Sequence, residues 1–153
     1  MTAGETAVSA GDRRVREALR RAMIARIATV TPGGWPLIMP LYFVVLDGHV
    51  YMNNAATSPT VKNIVAHPRA LVVLQLREGE VVRVRGAARY LRDDDTRRRV
   101  VRATLPKYVL RPRALWFMLR NLRRVSMRGR YVGERPDTGM IEVTPDSYSV
   151  GPV

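Results

Sequence analysis

The sequence contains no cysteine and only two histidines, His49 and His67, among its 153 residues. A chain without cysteine cannot form disulfides, thiolate metal sites or a cysteine nucleophile. Two histidines are too few for an ordinary all-protein transition-metal site, so we expect no metal. No apolar run reaches the roughly eighteen residues that span a bilayer, and the N-terminus lacks the apolar core of a signal peptide. We expect a cytoplasmic protein, with a disordered lead-in over residues 1–11 and one domain over residues 12–153.

The sequence also lacks the usual catalytic patterns. Neither histidine has an obvious acid beside it that would complete a nucleophile–base–orienter set. The acidic residues cluster at turns and at Asp93–Asp95, which argues against the paired carboxylates of a glycoside hydrolase. No Walker-type or G-x-G-x-x-G loop occurs. If the protein is an enzyme, a bound cofactor must carry the reaction, and no catalytic residue is assigned.

Negative charge is scarce. The chain has 26 basic and 13 acidic residues, for a net charge of +13, which attracts nucleic acid, anionic lipid or a phosphorylated or polycarboxylate cofactor. The most basic segment is 111–130, and within it residues 112–126 are predicted to form a basic amphipathic helix. Such a helix packs on a core or on a partner subunit, or lies on an anionic membrane.

The N-terminal half alternates between helical and strand periodicity. Residues 11–23 carry one apolar stripe and predict a helix with Asp12 as its cap. Residues 24–54 predict a three-stranded antiparallel meander with a tight hairpin turn at Asp47–Gly48. The middle strand, PLIMPLYFVVL, is apolar on both faces in its second half. One face therefore packs on the core, and the other suits a partner or a planar ligand, while Pro40 indicates a bulge or a sheet edge.

A strand–loop–helix junction follows, from residue 49 to residue 74. The loop AATSPT opens a short helix that ends at His67–Pro68 before the next apolar strand. A helix N-terminus attracts anions through its free N–H groups and dipole, and Lys62 lies one turn into this helix. The junction is either a capped connector, with Ser58 or Thr60 as the cap, or a phosphate cradle.

The C-terminal half predicts further strands and one more helix. Residues 81–91 alternate, which places Arg83, Arg85 and Arg89 on one strand face, toward water or toward an anionic ligand. A helix opens at Asp93–Asp95 and is interrupted at Pro106. A last strand is expected at residues 140–144, followed by a short tail.

Several short motifs together resemble one family. They are A-T-V-T at residues 28–31, a G-x-P turn at 34–36, P-x-x-F at 40–43, K-N-I-x-x-H-P-R at 62–69 and V-T-P at 143–145. This set resembles the FMN-binding split β-barrel family of pyridoxamine 5′-phosphate oxidase-like proteins. Within that family it is most similar to the actinobacterial flavin/deazaflavin (F420)-dependent oxidoreductases.

The resemblance implies a mainly β (α+β) fold, a split β-barrel of about six antiparallel strands with flanking helices. It implies a homodimer with two phosphorylated flavin-type cofactors, F420 or FMN, at the subunit interface. Many relatives carry a cationic pair where this chain has Ser58–Pro59–Thr60, so Lys62 is the one cation left in the loop. Arg83, Arg85 or arginines of the partner's 111–130 segment are candidates to compensate. The expected cofactor-binding residues are Pro40, Leu41, Tyr42, Phe43, Asn53, Asn54, Ala56, Thr57, Ser58, Thr60, Lys62, Asn63 and Arg85.

Three hypotheses follow. The leading one is an oxidoreductase that transfers hydride between F420 or FMN and a small organic substrate. The second is a non-catalytic binder of flavin, haem or a similar cofactor on the same fold. The third is a basic protein that binds nucleic acid or an anionic membrane through residues 111–130.

Overall fold

Seven strands and three helices make up the part of the chain that the computed structural model describes, residues 4–77, 79–108, 112 and 137–153. The strands are β1 (Thr6–Val8), β2 (Ile24–Val30), β3 (Pro36–Leu46), β4 (His49–Ala55), β5 (Arg69–Arg77), β6 (Glu80–Leu91) and β7 (Thr138–Pro152). The helices are α1 (Arg13–Arg21), α2 (Pro59–Ala66) and α3 (Asp94–Tyr108).

Six of the strands close into an antiparallel barrel. The sheet order is β1-β7-β4-β3-β2-β5-β6, and a further pairing of β6 with β7 joins its ends. β1 lies outside this closed ring, paired with β7 alone. The predicted barrel of about six antiparallel strands with flanking helices is therefore confirmed, with one short strand added.

The barrel interior and the surface beneath α3 form two separate apolar cores. Alternate residues of the six barrel strands fill the interior, and α1 and α2 cover it with Val15, Ala18, Val61 and Ile64. The second core consists of buried residues on the outer face of the sheet and on α3, namely Val44, Tyr51, Val100 and Met140. α3 is thus attached to the outside of the barrel.

Local signals set the element boundaries as predicted. The Asp12 carboxylate accepts the Arg14 N–H at 2.8 Å and caps α1. The Ser58 hydroxyl accepts the Val61 N–H at 3.3 Å and caps α2. Asp47 and Gly48 have φ angles of 52° and 80°, which are the left-handed values that a two-residue hairpin turn requires.

The expected disordered lead-in over residues 1–11 is wrong for Thr6–Val8. These residues pair with Tyr148–Val150 of β7 as β1. Glu5 is buried beside them and forms an ion pair with Arg85 at 2.8 Å. Sequence pattern misses this strand because it is only three residues long and its partner lies at the other end of the chain.

Two other boundaries differ from the prediction. α3 continues through Pro106 to Tyr108, since a proline this close to the helix C-terminus removes only one intrahelical hydrogen bond. The last strand runs from Thr138 to Pro152, not from 140 to 144, and it contains Pro145. The register between β6 and β7 shifts between Arg85 and Gly86, opposite Pro145, and such an irregularity accommodates a proline within a strand.

The predicted basic helix over residues 112–126 lies outside the described residues, apart from Pro112. Its suggested contacts with a core, a partner, nucleic acid or a membrane stay predictions. None of the helices in the described ranges is long and apolar enough to cross a membrane.

Candidate functional site

The first half of β3 exposes a row of apolar side chains. Pro36, Ile38, Pro40 and Tyr42 point outward, and the alternate residues between them pack toward the core. Ile38 is 61% exposed and Tyr42 is 67% exposed. We call these four residues the β3 strip.

The β3 strip lies at an open edge of the barrel. Over residues 36–42, β3 pairs with β2 and leaves its other side unpaired, and from Phe43 onward it pairs with β4 instead of β2. The β2–β3 register has no shift, so Pro40 marks an edge and not a bulge. Arg26 lies opposite Pro40, and antiparallel partners share a sheet face. The result is an apolar surface two strands wide with one cation on it.

The strand changes character at Phe43. Its side chain is 2% exposed and belongs to the barrel interior. The Tyr108 hydroxyl, from the end of α3, accepts the Phe43 N–H at 3.0 Å and lies 2.6 Å from the Phe43 carbonyl oxygen. Of the predicted ring contacts on β3, Pro40 and Tyr42 are exposed, Leu41 is half-buried, and Phe43 is a core residue.

The predicted cofactor-binding residues at the end of β4 and in the loop that follows have mixed surroundings. Asn53 is exposed. The side-chain oxygen Oδ1 of Asn54 accepts the Ala55 N–H at 2.9 Å, while the side-chain nitrogen Nδ2 is buried without a hydrogen-bond partner. The β4–α2 loop, residues 56–58, is held by Asp137: the Ala56 N–H donates to its backbone oxygen at 2.7 Å. The Thr57 hydroxyl donates to its carboxylate at 3.0 Å.

The predicted residues of α2 divide between the interior and solvent. Ser58 is occupied as the N-cap. Thr60 is fully buried and its hydroxyl has no hydrogen-bond partner. Asn63 is buried and donates to the Thr29 hydroxyl at 3.1 Å. Lys62 is exposed, and within the described residues no carboxylate forms an ion pair with it, so it is the cation that the loop offers to an anion.

Arg85 is engaged elsewhere. Its guanidinium donates to the Glu5 carboxylate at 2.8 Å and to the Ser149 hydroxyl at 3.2 Å. Ser149 also donates to Glu5. On the arginine face of β6, Arg85 and Arg89 pair with buried carboxylates, and Arg83 donates to the Pro152 carbonyl.

A second polar cluster was not predicted. Glu142 of β7 is 4% exposed; it accepts hydrogen bonds from the Tyr51 hydroxyl at 2.7 Å and from Arg89 Nε at 2.6 Å. Burial raises the pKa of Glu142, but the hydrogen bonds from Arg89 and Tyr51 outweigh burial and leave this pKa below its usual value. Burial, aided by Glu142, raises the pKa of Tyr51 to about 12. The one sequence signal was an acid inside the apolar run MIEV.

Comparison with known proteins decides the family. The family model described as pyridoxamine 5′-phosphate oxidase matches residues 12–148. The chain belongs to this family. A search of curated proteins found no significant match. The family resemblance drawn from the short motifs is thereby confirmed.

Solved structures share the fold of this pyridoxamine 5′-phosphate oxidase family member. A conserved hypothetical protein from Mycobacterium tuberculosis has 15% identity and a TM-score of 0.71, covering 95% of this chain and 86% of its own. An FAD-binding protein from Mesorhizobium loti has 16% identity and a TM-score of 0.60, covering 95% and 96%. A protein called F420 reductase has 18% identity and a TM-score of 0.55, covering 92% and 98%. These TM-scores show a common fold at identities below 20%.

Within the described ranges, no group of three or more histidine, aspartate or glutamate side chains is placed to hold a metal ion. The chemistry available among the described residues is therefore an apolar surface with one arginine and a helix N-terminus with one exposed lysine. Within the same part of the chain, two buried donors have no hydrogen-bond partner, Asn54 Nδ2 and the Thr60 hydroxyl. That combination can bind a planar, partly anionic molecule.

Proposed function

We propose that this protein binds a phosphorylated flavin-type cofactor, F420 or FMN, and transfers hydride between that cofactor and a small organic substrate. The observation that carries the proposal is the β3 strip, an exposed apolar surface at an open barrel edge in a chain of this family. Fold relatives named as an FAD-binding protein and an F420 reductase support it.

The β3 strip fits a flavin-type ring. A planar aromatic ring needs a flat apolar surface, and Ile38, Pro40 and Tyr42 provide about one ring's length of it, since successive outward residues on a strand lie roughly 7 Å apart. Arg26 adds a positive charge on the same face. A cation beside the ring favours a reduced, anionic cofactor, which is one way in which a protein tunes cofactor chemistry.

The β4–α2 loop fits a phosphate with fewer contacts. Lys62 supplies the charge, and the N-terminus of α2 supplies its dipole and N–H groups. The unpartnered Asn54 Nδ2 and Thr60 hydroxyl lie on either side of the loop in sequence and are donors that an anion could satisfy after a small opening. Ser58, Asn63 and Arg85 already have partners. We therefore assign the phosphate to Lys62, with Asn54 and Thr60 as supporting donors.

The bound cofactor would supply the hydride chemistry, and the chain's own residues would bind and orient it. The β3 strip contains one titratable side chain, Tyr42, which is exposed. The Tyr51–Glu142–Arg89 cluster is hydrogen-bonded internally and lies on the part of the sheet that α3 covers. Among the described residues of the strip, Tyr42 is therefore the candidate proton donor to the substrate, beside solvent.

Titration of the full-length protein with FMN and with F420 tests the proposal. Quenching of cofactor fluorescence should give a Kd of about 10 μM or tighter for one of them, as expected of a cofactor that stays bound in use. The complex should then reoxidise its reduced cofactor when a nitro- or enone-type acceptor is added. A Kd weaker than about 1 mM for both cofactors would exclude the proposed function.

A second candidate is a cofactor binder without turnover. Two observations favour it. The side chains of Ser58, Asn63 and Arg85 already hydrogen-bond within the chain, and the β3 strip carries no acid–base pair. Tight binding combined with no reoxidation by any tested acceptor would support the binder over the oxidoreductase.

We also propose that the β3 strip is covered by a second copy of the chain. Its exposed residues, together with Ile24 opposite Tyr42, form a contiguous apolar surface that a monomer would leave in water. The family resemblance implies a dimer with the cofactor between its subunits. If the cofactor ring and the partner subunit both contact the β3 strip, this one surface accounts for the dimer and for the cofactor site.

A further inference from the structure

Tyr42 is the flexible member of the β3 strip. The side chains of Pro36 and Pro40 are closed rings, and Ile38 is branched at Cβ, so these three residues have few rotamers. Tyr42 is unbranched at Cβ and exposed, and exposed side chains of this kind exchange rapidly between rotamers. The strip thus consists of three stiff side chains and one whose orientation depends on a neighbour.

Tyr108, the last residue of α3, is that neighbour. The centroids of the Tyr42 and Tyr108 rings lie 5.4 Å apart, and the ring planes cross at 86°. This is the edge-to-face arrangement that aromatic pairs prefer, at centroid distances of about 4.5–7 Å. The flexible residue of the strip is therefore in contact with a ring from another element of the fold.

The Tyr108 ring is itself fixed by its hydroxyl. This hydroxyl accepts the Phe43 N–H at 3.0 Å, and its single proton goes either to the Phe43 carbonyl at 2.6 Å or to the Met23 carbonyl at 2.9 Å. Met23 directly precedes β2, and Phe43 belongs to β3. The ring is thereby attached to the backbone of both strands that form the apolar surface.

The preceding residue fastens the same end of α3. The Lys107 ammonium donates to the Leu19 carbonyl at 3.1 Å and lies 3.3 Å from the centroid of the Phe43 ring. These contacts hold the helix end against α1 and β3. Tyr108 does this too, and in addition its ring contacts the strip through Tyr42.

We propose that Tyr108 is a positioning residue of the cofactor site, whose ring holds the Tyr42 side chain in one orientation on the β3 strip. This inference rests on the proposed function, which assigns the flavin-type ring to this strip. Tyr42 is also the candidate proton donor to the substrate, so a fixed ring also fixes its hydroxyl. The effect of Tyr108 on the cofactor passes through Tyr42 and requires the Tyr108 ring more than the Tyr108 hydroxyl.

NMR of the cofactor-free, full-length protein tests the orientation of Tyr42. An aromatic ring displaces the proton signals of a ring packed against it, so the Tyr42 ring protons should differ from those of an exposed tyrosine. In Tyr108→Leu they should return to the exposed values. Lys107→Met is the matched control, because it removes the other contacts of this helix end and leaves both tyrosine rings in place. Equal Tyr42 signals in wild type and Tyr108→Leu would refute the contact.

Titration with FMN and with F420 measures the consequence for the cofactor. Tyr108→Leu should weaken binding by about two- to tenfold, the range expected for the loss of one edge-to-face pair. Tyr108→Phe and Lys107→Met keep both rings, so each should stay within about twofold of the wild type. In a Tyr42→Leu protein, adding Tyr108→Leu should change the affinity by less than about twofold, because no pair is left to break.

Three results would overturn the inference and leave the proposed function standing. They are wild-type affinity in Tyr108→Leu, an equal loss in Tyr108→Phe or Lys107→Met, and an undiminished effect of Tyr108→Leu in the Tyr42→Leu protein. If the wild type binds neither cofactor with a Kd below about 1 mM, the proposed function itself fails, and this role of Tyr108 falls with it.

Wild-type protein decides the matter if Tyr108→Leu does not fold. Nuclear Overhauser contacts between the Tyr42 and Tyr108 rings should then be present, and the bound cofactor should shift the ring signals of both. Absence of these contacts, or unchanged Tyr108 signals, would refute the positioning role.

Discussion

At the scale of single residues, the Glu142 cluster is the most complete polar arrangement in the described chain. A buried carboxylate is costly unless hydrogen bonds and a counter-charge compensate it. Glu142 has both, from Tyr51 and from Arg89. Tyr51, with a pKa of about 12, stays protonated and donates at any ordinary pH. Because Tyr51 and Arg89 already satisfy the Glu142 carboxylate, we assign this cluster a structural role.

The pH dependence of stability should reveal Glu142. Its pKa in the folded chain lies below the usual value of 4.5, so the ionised form stabilises the fold fully above that value. This stabilisation is lost as the pH falls through the lower, folded pKa. Glu142→Gln should lower the free energy of unfolding by about 1–3 kcal/mol at pH 7, with a smaller difference from wild type near pH 3. Urea unfolding at several pH values measures this difference.

The exposed Asp95 provides the control for that series. Asp95→Asn removes a carboxylate on the first turn of α3 that does not belong to the cluster, so its effect on unfolding should stay small. If the gap between wild type and Glu142→Gln were the same at pH 7 and pH 3, the ionised carboxylate would not be the stabilising form.

Lys62 is the residue on which the proposed phosphate site depends most. Lys62→Ala should weaken binding of F420 or FMN by about 1–3 kcal/mol, the loss of one charge-assisted hydrogen bond. Lys62→Arg should retain most of the affinity. Arg98→Ala, which removes an exposed charge on α3, controls for the general field of this basic protein. Equal affinities for the Lys62→Ala and Arg98→Ala proteins, measured by fluorescence titration, would remove Lys62 from the site.

At the scale of elements, Tyr108 connects the end of α3 to the point where β3 changes partners. Its hydroxyl accepts the Phe43 N–H and lies within 2.9 Å of the Met23 carbonyl oxygen. Up to Tyr42 the strand pairs with β2, and from Phe43 onward it pairs with β4 instead. One hydroxyl therefore satisfies backbone groups at the point where β3 passes from one partner strand to the other.

Tyr108→Phe should leave the Phe43 N–H without that acceptor. We expect a loss of about 1–3 kcal/mol in the free energy of unfolding and faster hydrogen exchange at the Phe43 amide than at neighbouring amides of β3. Tyr148→Phe is the control, since it removes the hydroxyl of another partly buried tyrosine, one that packs against the barrel interior and not beneath α3. Unchanged exchange at Phe43 in a folded Tyr108→Phe protein would show that the hydroxyl does not hold this strand.

The same elements show which contacts can be predicted from the sequence and which cannot. The caps at Asp12 and Ser58 and the turn at Asp47–Gly48 are decided within about four residues, and all three were predictable. The partners of Arg85, Glu142 and Asn63 lie 80, 91 and 34 residues away. Such contacts depend on strand register, which local patterns do not contain. The assignment of Arg85 to a cofactor rested on its charge, and the buried Glu5 that pairs with it could not be anticipated.

At the scale of the whole molecule, positive charge exceeds what the protein can neutralise internally. Even if all 13 acidic residues paired, 26 − 13 = 13 basic residues would remain without an acidic partner. An anion will therefore be attracted to many surfaces, and loss of affinity on removing any one cation is weak support for a site. For this reason the Lys62 variant is compared with a protein from which a cation has been removed elsewhere.

The assembly state tests the β3 strip without this ambiguity, because the strip is apolar. The wild type should have a mass near 35 kDa by light scattering, twice the 17.3 kDa of one chain. Ile38→Glu should give a folded monomer, since a charge buried between subunits without a partner costs several kcal/mol.

Leu105→Glu, which places the same charge on an exposed apolar residue of α3, should remain a dimer. Cofactor affinity should fall together with the dimer in Ile38→Glu, because the ring and the partner subunit are proposed to share the β3 strip. A monomeric wild type, or an Ile38→Glu protein that stays dimeric, would place any subunit contact elsewhere on the barrel. If Ile38→Glu were monomeric and kept full cofactor affinity, the ring would bind to one chain alone, and the exposed apolar surface would serve assembly only.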